Sequence, residues 1–224
     1  MLKLYKLQKS YDKRRPVLRE VTFSLEPGTA ICIAGRNATG KTTLLRLACG
    51  LIFPDSGTVS CSGRIAFVPQ EPALLPELTV VDNLKLWYSA QGLDGPSFGE
   101  ESLETQFGLL PFRKKRAGAL SGGMKKRLSI ATALVGSPDF LLLDEPFAAL
   151  DAPGCRELSL LLCKLKSKGI GILFTSHEPQ QIAALADHVF LLEDGRLSKT
   201  LTLCNTPEEQ REPSVLSLLF SNAQ

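Results

Sequence analysis

The chain lacks the pattern for a disulfide framework, a cysteine–histidine metal centre or a membrane span. Its six cysteines, Cys32, Cys49, Cys61, Cys155, Cys163 and Cys204, include no Cys-x-x-Cys pair. Neither of the two histidines, His177 and His188, stands at a ligand-like spacing from any of them, so the six read as buried, reduced thiols of a cytosolic protein. No window approaches about 18 uninterrupted apolar residues, and the N-terminus carries lysines without an apolar h-region, so this chain is not expected to cross a membrane itself. A dominant charge is missing as well. With 26 basic and 23 acidic side chains, the formal charge of +3 gives no reason to infer a nucleic-acid or membrane partner. At 224 residues there is room for one large α/β domain with a modest insertion, and not for two independent cores.

What is present is a phosphate-binding loop: Gly35-Arg36-Asn37-Ala38-Thr39-Gly40-Lys41-Thr42-Thr43. Its glycines let backbone amides turn inward on phosphates, Lys41 reaches the β and γ phosphates, and the Thr42 hydroxyl completes an Mg2+ shell. The flanks supply the required context. Ala30-Ile31-Cys32-Ile33-Ala34 reads as a central strand, and Leu44, Leu47 and Ala48 form one face of a helix that stops at Gly50. Negative charge would then sit at a helix N-terminus, where it is stabilised. The ligand expected is a nucleoside triphosphate with Mg2+, and the absence of an Asn-Lys-x-Asp motif argues against a GTPase.

Around that loop the pattern predicts a layered α/β chain. Residues 1–34 read as antiparallel strands, with Thr22-Phe23-Ser24-Leu25 alternating before the turn Glu26-Pro27-Gly28. Short strands are predicted over Thr58–Ser60 and Arg64–Val68, the second delivering Pro69-Gln70 at its end. From Thr79 to Val135 the period becomes helical, with Val80, Leu84 and Trp87 on one face and Leu103, Phe107 and Leu110 on another; the Gly- and Pro-containing stretch 92–99 is a loop between those helices. Strand 140–143, a helix with Leu158, Leu161, Leu162 and Leu165, strand 170–174 and a helix around 182–186 alternate as a parallel sheet does. His188–Leu192, the Glu193-Asp194-Gly195 turn and Leu197–Leu201 look like a closing hairpin.

Phe140-Leu141-Leu142-Leu143-Asp144-Glu145 places two carboxylates at the C-terminal end of a buried strand, the edge where open α/β sheets bind ligands. Asp144 suits a direct or indirect Mg2+ contact, and Glu145 suits a general base or water-positioning residue opposite the γ-phosphate. Taken alone, the pair also fits the N-cap of the following helix.

Between these motifs stands Leu120-Ser121-Gly122-Gly123-Met124, opening a helix with Leu128, Ala131 and Val135 inward. With this segment about twenty residues before the Asp-Glu pair, the chain resembles the nucleotide-binding subunit of an ATP-binding cassette (ABC) transporter, from about Leu2 to Leu201. The resemblance implies that the Ser121 hydroxyl and the amides of Gly122 and Gly123 grip the γ-phosphate of ATP held by the opposite subunit. It places Tyr11 where the family stacks an aromatic on adenine, although Tyr5 is near and either tyrosine could simply pack on the strand layer. Gln70 stands where a glutamine senses Mg2+ and the transport partner, and Ala149-Leu150-Asp151 where a loop communicates across the dimer. His177, after Phe174-Thr175-Ser176, matches a switch histidine that contacts the γ-phosphate; alone, a histidine at a strand end reads as structural. Two residues depart from the family pattern. Ala38 replaces a usual glycine, and Met124 the signature glutamine. The segment between Thr58 and Gln70 is also shorter than in many relatives.

The resemblance thus implies an α/β fold of the P-loop NTPase class, with a mixed, mainly parallel central sheet, an N-terminal antiparallel β layer and an inserted α-helical subdomain. A single ABC ATPase domain over 1–224 would comprise a catalytic core of 1–70 and 136–201, a helical subdomain of 71–135 bearing the signature, and a short tail of 202–224. The expected function is ATP hydrolysis with Mg2+, in which Glu145, His177 and Lys41 are catalytic, residues 35–43 with Tyr11 and Ser121-Gly122-Gly123 hold the nucleotide, and Thr42, Gln70 and Asp144 hold the metal. The partners implied are a second identical or similar cassette and a separate transmembrane permease, with no nucleic acid; a soluble relative acting on ribosomes or DNA would carry a second cassette or long coiled-coil arms. Such a subunit sits on the cytoplasmic face of the cell membrane through its permease, in a groove beside Gln70 lined by Glu71–Glu77 with Leu74 and Leu75. The Met-containing signature followed by basic residues resembles those of exporters. An importer, or a weakly hydrolysing regulatory module suggested by Ala38 and Met124, are the alternatives. The basic runs Arg113–Arg116 and Lys125–Arg127 read as solvated surface, with a second reading in which they face ATP or anionic lipid.

Overall fold

Apolar residues at alternate positions build the first layer. In the computed structural model, which describes residues 1–12 and 15–220, β1 (Leu2–Asp12) pairs antiparallel with β2 (Arg15–Leu25). Leu2 and Leu4 point inward, and then the register slips. Lys6 takes a positive φ of 48°, an extra residue opens between the Leu4–Phe23 and Leu7–Val21 pairs, and the bulge turns Leu7 into the core where strict alternation would have placed Lys6.

The five residues of β3 (Ala30–Ala34) are all buried, which suits a strand covered on both faces. It runs through the phosphate loop into α1 (Lys41–Ala48), whose Leu44, Leu45 and Leu47 are buried. Next, β4 (Ser56–Cys61) returns to pair antiparallel with β1, while β5 (Ile65–Val68) joins a different sheet. The helical insertion holds α2 (Val80–Ala90), α3 (Leu103–Gln106) and α4 (Gly122–Leu134). Each starts on a side-chain cap: Thr79 accepts from the Asp82 amide, Ser102 from that of Thr105, and Ser121 from that of Met124.

The chain then alternates through β6 (Phe140–Leu143), α5 (Ala152–Ser167), β7 (Gly171–Ser176), α6 (Pro179–Leu185), β8 (His188–Glu193) and β9 (Arg196–Thr202), and closes with α7 (Glu208–Phe220). The large sheet has the order β5-β6-β7-β3-β8-β9. Its strands are parallel except β9, which returns antiparallel through the turn at Asp194 and Gly195, both with positive φ.

Period-two alternation divides two cores across this sheet. Ala30, Cys32 and Ala34 face the side packed by α5, α6 and the helical insertion; Ile31 and Ile33 face α1 and the small antiparallel sheet. Each leucine fully buried there contributes roughly 1.5–3 kcal/mol.

Three expectations change. The N-terminal run of antiparallel strands ends at Leu25, and β3 runs parallel to both neighbours, because a strand apolar on every side chain belongs at a sheet centre. The helix expected to carry Leu103, Phe107 and Leu110 on one face lasts four residues. Gly108, at φ 67°, stops it, so that Phe107 and Leu109 are buried while Leu110 is exposed in a 3-10 turn with Pro111. Finally, most of the segment read as a short tail is the helix α7, which buries Val215 and is tied down by the Arg211 guanidinium donating to the carbonyls of Ala183 and Leu203; residues 221–224 of that tail lie outside the described residues. Among the described residues no helix is long and apolar enough to cross a membrane.

Candidate functional site

The site forms where β3, β6 and β7 end on the same edge of the sheet. Between β3 and α1 the loop makes turns that need left-handed backbone. Gly35 (φ 151°) and Gly40 (φ 106°) have no room for a side chain: a Cβ on Gly35 would lie 2.6 Å from the Leu192 carbonyl oxygen, and one on Gly40 2.9 Å from Val17. Ala38 also adopts a positive φ, 64°. This is the departure from the usual glycine, and the backbone keeps the turn with an alanine in it. Lys41 is buried, and its ammonium donates to the carbonyls of Gly35 (2.8 Å) and Arg36 (3.1 Å). No acidic residue occupies the first turn of α1, so its amides and positive dipole end offer an anion site without a competing carboxylate.

From β6, Asp144 and Glu145 enter the same cleft and are held differently. Both oxygens of the buried Asp144 carboxylate are satisfied, by hydroxyl donors from Thr42 (2.7 Å) and Thr175 (2.8 Å). Thr175 in turn accepts the Glu145 amide at 2.8 Å, helping to hold Glu145 at a positive φ of 44°. The Glu145 carboxylate lies 3.6 Å from the Lys41 ammonium and 3.3 Å from Nδ1 of His177, which follows β7. On its other side His177 meets Glu178 at 3.4 Å. A cation, two carboxylates, a hydroxyl and an imidazole from three chain segments thus converge on a cleft of about 520 Å³.

The cleft also takes in Tyr11, Asn37, Ala38, Gly40, Thr43 and Gln70. Tyr11 lies within 3.4 Å of the Thr43 hydroxyl, and it is Tyr11 and not Tyr5 that lines the cleft. Gly35, Arg36 and Thr39 face a neighbouring hollow on the other side of the loop, closed by Leu219 and Phe220 of α7. The signature residues are elsewhere. Ser121, Gly123 and Met124 border a separate cleft of about 320 Å³ together with Leu150 and Asp151, and none of them lines the first cleft.

The profile of the ABC transporter family matches residues 18–148. The chain belongs to the ABC transporter family. Among its relatives, this ABC subunit is 36% identical over 220 residues to the aliphatic sulfonates import ATP-binding protein of Corynebacterium glutamicum, covering 94% of this chain and 88% of that one. It is 32% identical over 231 residues to the lipopolysaccharide export system ATP-binding protein of Acidithiobacillus ferridurans, with 96% and 94% covered. A solved ATP-binding subunit of an ABC transporter superposes with a TM-score of 0.80 at 27% identity, covering 99% of this chain and 97% of that one. A dimeric ATP-binding cassette in a post-hydrolysis state with ADP and Pi superposes equally well, TM-score 0.80 at 26% identity, with 91% and 99% covered. The fold is therefore that of an ABC cassette, and the chain is an ATP-binding ABC ATPase.

Sequence reasoning missed several residues of this ABC subunit's cleft. Val17 and Ala148 line it, and nothing in their local pattern marks them. Behind the cleft, Thr175, which joins the Asp144 carboxylate and the Glu145 amide to β7, carried a signal: two consecutive polar residues, Thr175 and Ser176, inside a strand buried on every side chain. Lys126 is the other omission. It belongs to a run read as solvated surface, yet it is buried, and its ammonium donates to the Gln70 carbonyl at 2.7 Å.

Proposed function

We propose that this chain is the ATP-hydrolysing motor subunit of an ABC transporter, working in a dimer that encloses ATP and drives a separate transmembrane permease. One observation carries the reading: Lys41, Thr42, Asp144, Glu145 and His177 meet in one cleft, while Ser121 and Gly123 stand open in another. A single copy cannot apply both to one nucleotide, and a second copy facing it can.

In that arrangement Lys41 leaves the loop carbonyls for the β and γ phosphates, and the α1 amides and the Ser121 hydroxyl of the facing copy hold the transferring phosphoryl group. Glu145 orients and deprotonates the attacking water, and His177, in contact with Glu145, steadies that carboxylate against the γ-phosphate. Tyr11 offers its exposed ring to adenine. Thr42, Asp144 and Gln70 would hold Mg2+. The oxygen-only donor set, with Thr42 and Asp144 already 2.7 Å apart, fits a hard cation that takes few protein ligands and completes its shell from phosphate and water. Mg2+ bound there supplies charge neutralisation on the β and γ phosphates.

The permease would dock beside the helical insertion, in the groove between β5, α2 and α4, where Ala73, Trp87 and Gln91 stand near Pro69; Leu74 packs into the core instead. Such docking places the chain on the cytoplasmic face of the membrane, with 1–70 and 136–201 as the catalytic core and 71–135 as the subdomain that relays motion. Export is the direction read from the Met124 signature. Import is the second reading, favoured by the sulfonate-import relatives at 36% and 38% identity, and copurification with an extracytoplasmic binding protein would select it. The test of the motor itself is the solution mass of Glu145→Gln with and without Mg-ATP: a nucleotide-dependent doubling is expected, and a monomer at saturating Mg-ATP overturns the self-paired arrangement.

A further inference from the structure

Lys126 occupies an unusual place for a lysine. It is 3% exposed, lies one turn past Ser121 on α4, and its Nζ donates to the main-chain carbonyls of Gln70 (2.7 Å) and Pro69 (3.5 Å). Among the described residues no backbone amide donates to either carbonyl, and Lys126 forms no ion pair. Burial pulls this ammonium toward neutrality, while the negative charges of Asp144 and Glu145 favour its charged form. An apolar side chain would fill the same space without that desolvation cost. The flanking Lys125 and Arg127 are partly exposed, with Arg127 paired to Glu157, so Lys126 alone of the run turns inward.

The contact joins two segments that the reaction needs in register. Pro69-Gln70 leaves β5, and Gln70 lines the nucleotide cleft; α4 begins with the signature serine. We propose that Lys126 is a positioning residue for ATP hydrolysis: its ammonium clamps the Pro69-Gln70 main chain to the signature helix, so that Gln70 is presented to the cleft only while α4 is docked in place. The inference rests on the motor reading above. It goes further in assigning to one buried cation the connection between the helix that serves the facing copy's nucleotide and the loop that serves its own.

The test uses the full chain and a double-mutant cycle with Gln70. Lys126→Met is expected to lower kcat for phosphate release about 10²-fold, with the Kd for Mg-ATP within about twofold of wild type. In a Gln70→Ala background the same substitution should change kcat by less than about twofold, because a residue that acts through another loses its effect when that other is gone. Lys126→Gln, which keeps a neutral donor of shorter reach, should show a smaller loss with the same dependence on Gln70, and it carries the test if Lys126→Met does not fold. Independent, multiplicative losses in the two backgrounds overturn the clamp, as does wild-type kcat in Lys126→Met. Failure of both Lys126 variants to fold would make this a residue of the fold and also overturn it. A wild-type protein without ATPase activity would instead defeat the motor reading, so the two failures are distinct.

Discussion

The hydroxyl of Thr42 donates to Asp144 at 2.7 Å across a sequence separation of 102 residues, and so ties the first turn of α1 to the end of β6. The bond orients the carboxylate toward the phosphate side of the cleft before any nucleotide arrives. Removing it leaves a buried carboxylate oxygen without its donor. Thr42→Ala is therefore expected to lose about 1–3 kcal/mol of stability in denaturant melts, and, on the proposal that its hydroxyl holds Mg2+, to lose ATP hydrolysis by about 10²-fold or more. Phosphate release at wild-type rates would remove Thr42 from the metal and phosphate site.

Ala38 gives a prediction of opposite sign. Its φ of 64° is costly for any residue with a Cβ, so Ala38→Gly should stabilise the protein by about 1 kcal/mol, raising Tm by roughly 2–4 °C. Calorimetry checks the stability, and nucleotide titration should show Mg-ATP bound at least as tightly as in wild type.

The helical insertion contains a buried carboxylate with a single donor. Glu104 is fully buried, Tyr88 donates to its Oε1 at 2.5 Å, and its Oε2 has no hydrogen-bond partner among the described residues. Burial, with Glu104 beside it, raises the Tyr88 pKa, so the phenol stays a donor at any working pH. Tyr88→Phe takes away the only donor among the described residues and should cost about 1–3 kcal/mol, because a buried polar group is left unsatisfied. A Tm unchanged by Tyr88→Phe would contradict the Tyr88–Glu104 pairing.

Thiol chemistry should follow burial. Desolvation raises the pKa of Cys32, Cys49, Cys61, Cys155 and Cys163, which withholds the reactive thiolate. Cys204 is exposed. Brief iodoacetamide treatment of the folded protein, read by peptide mass spectrometry, is expected to modify Cys204 first and Cys32 only after unfolding; early labelling at Cys32 would contradict the packing of β3.

Much of the nucleotide cleft was legible from the chain alone because local chemistry dictates it. A turn that must expose amides to phosphate needs glycines at fixed offsets, a lysine and a hydroxyl follow at the start of a helix, and a strand apolar on all sides delivers its acids to the sheet edge. The runs 30–48 and 140–145 therefore carried their secondary structure and their delivery of the site residues, although the parallel direction of β3 emerged only in the sheet. What escaped was decided by contacts between distant segments. The bulge at Lys6 and the docking of α7 depend on neighbours that no short window contains, while the early end of α3 at Gly108 is a local stop that the helical period of the leucines masked. Thr175, for all its polar signal inside an apolar strand, and Lys126, one of a basic run, matter through what packs on them, a carboxylate on one and two carbonyls on the other. The sequence by itself determined the chemistry of the loop, the acid pair and the signature, because each motif is contiguous. Only the tertiary structure decided which of them share a cleft, because the parallel sheet gathers the ends of β3, β6 and β7 on one edge while the signature is carried away on a separate helix.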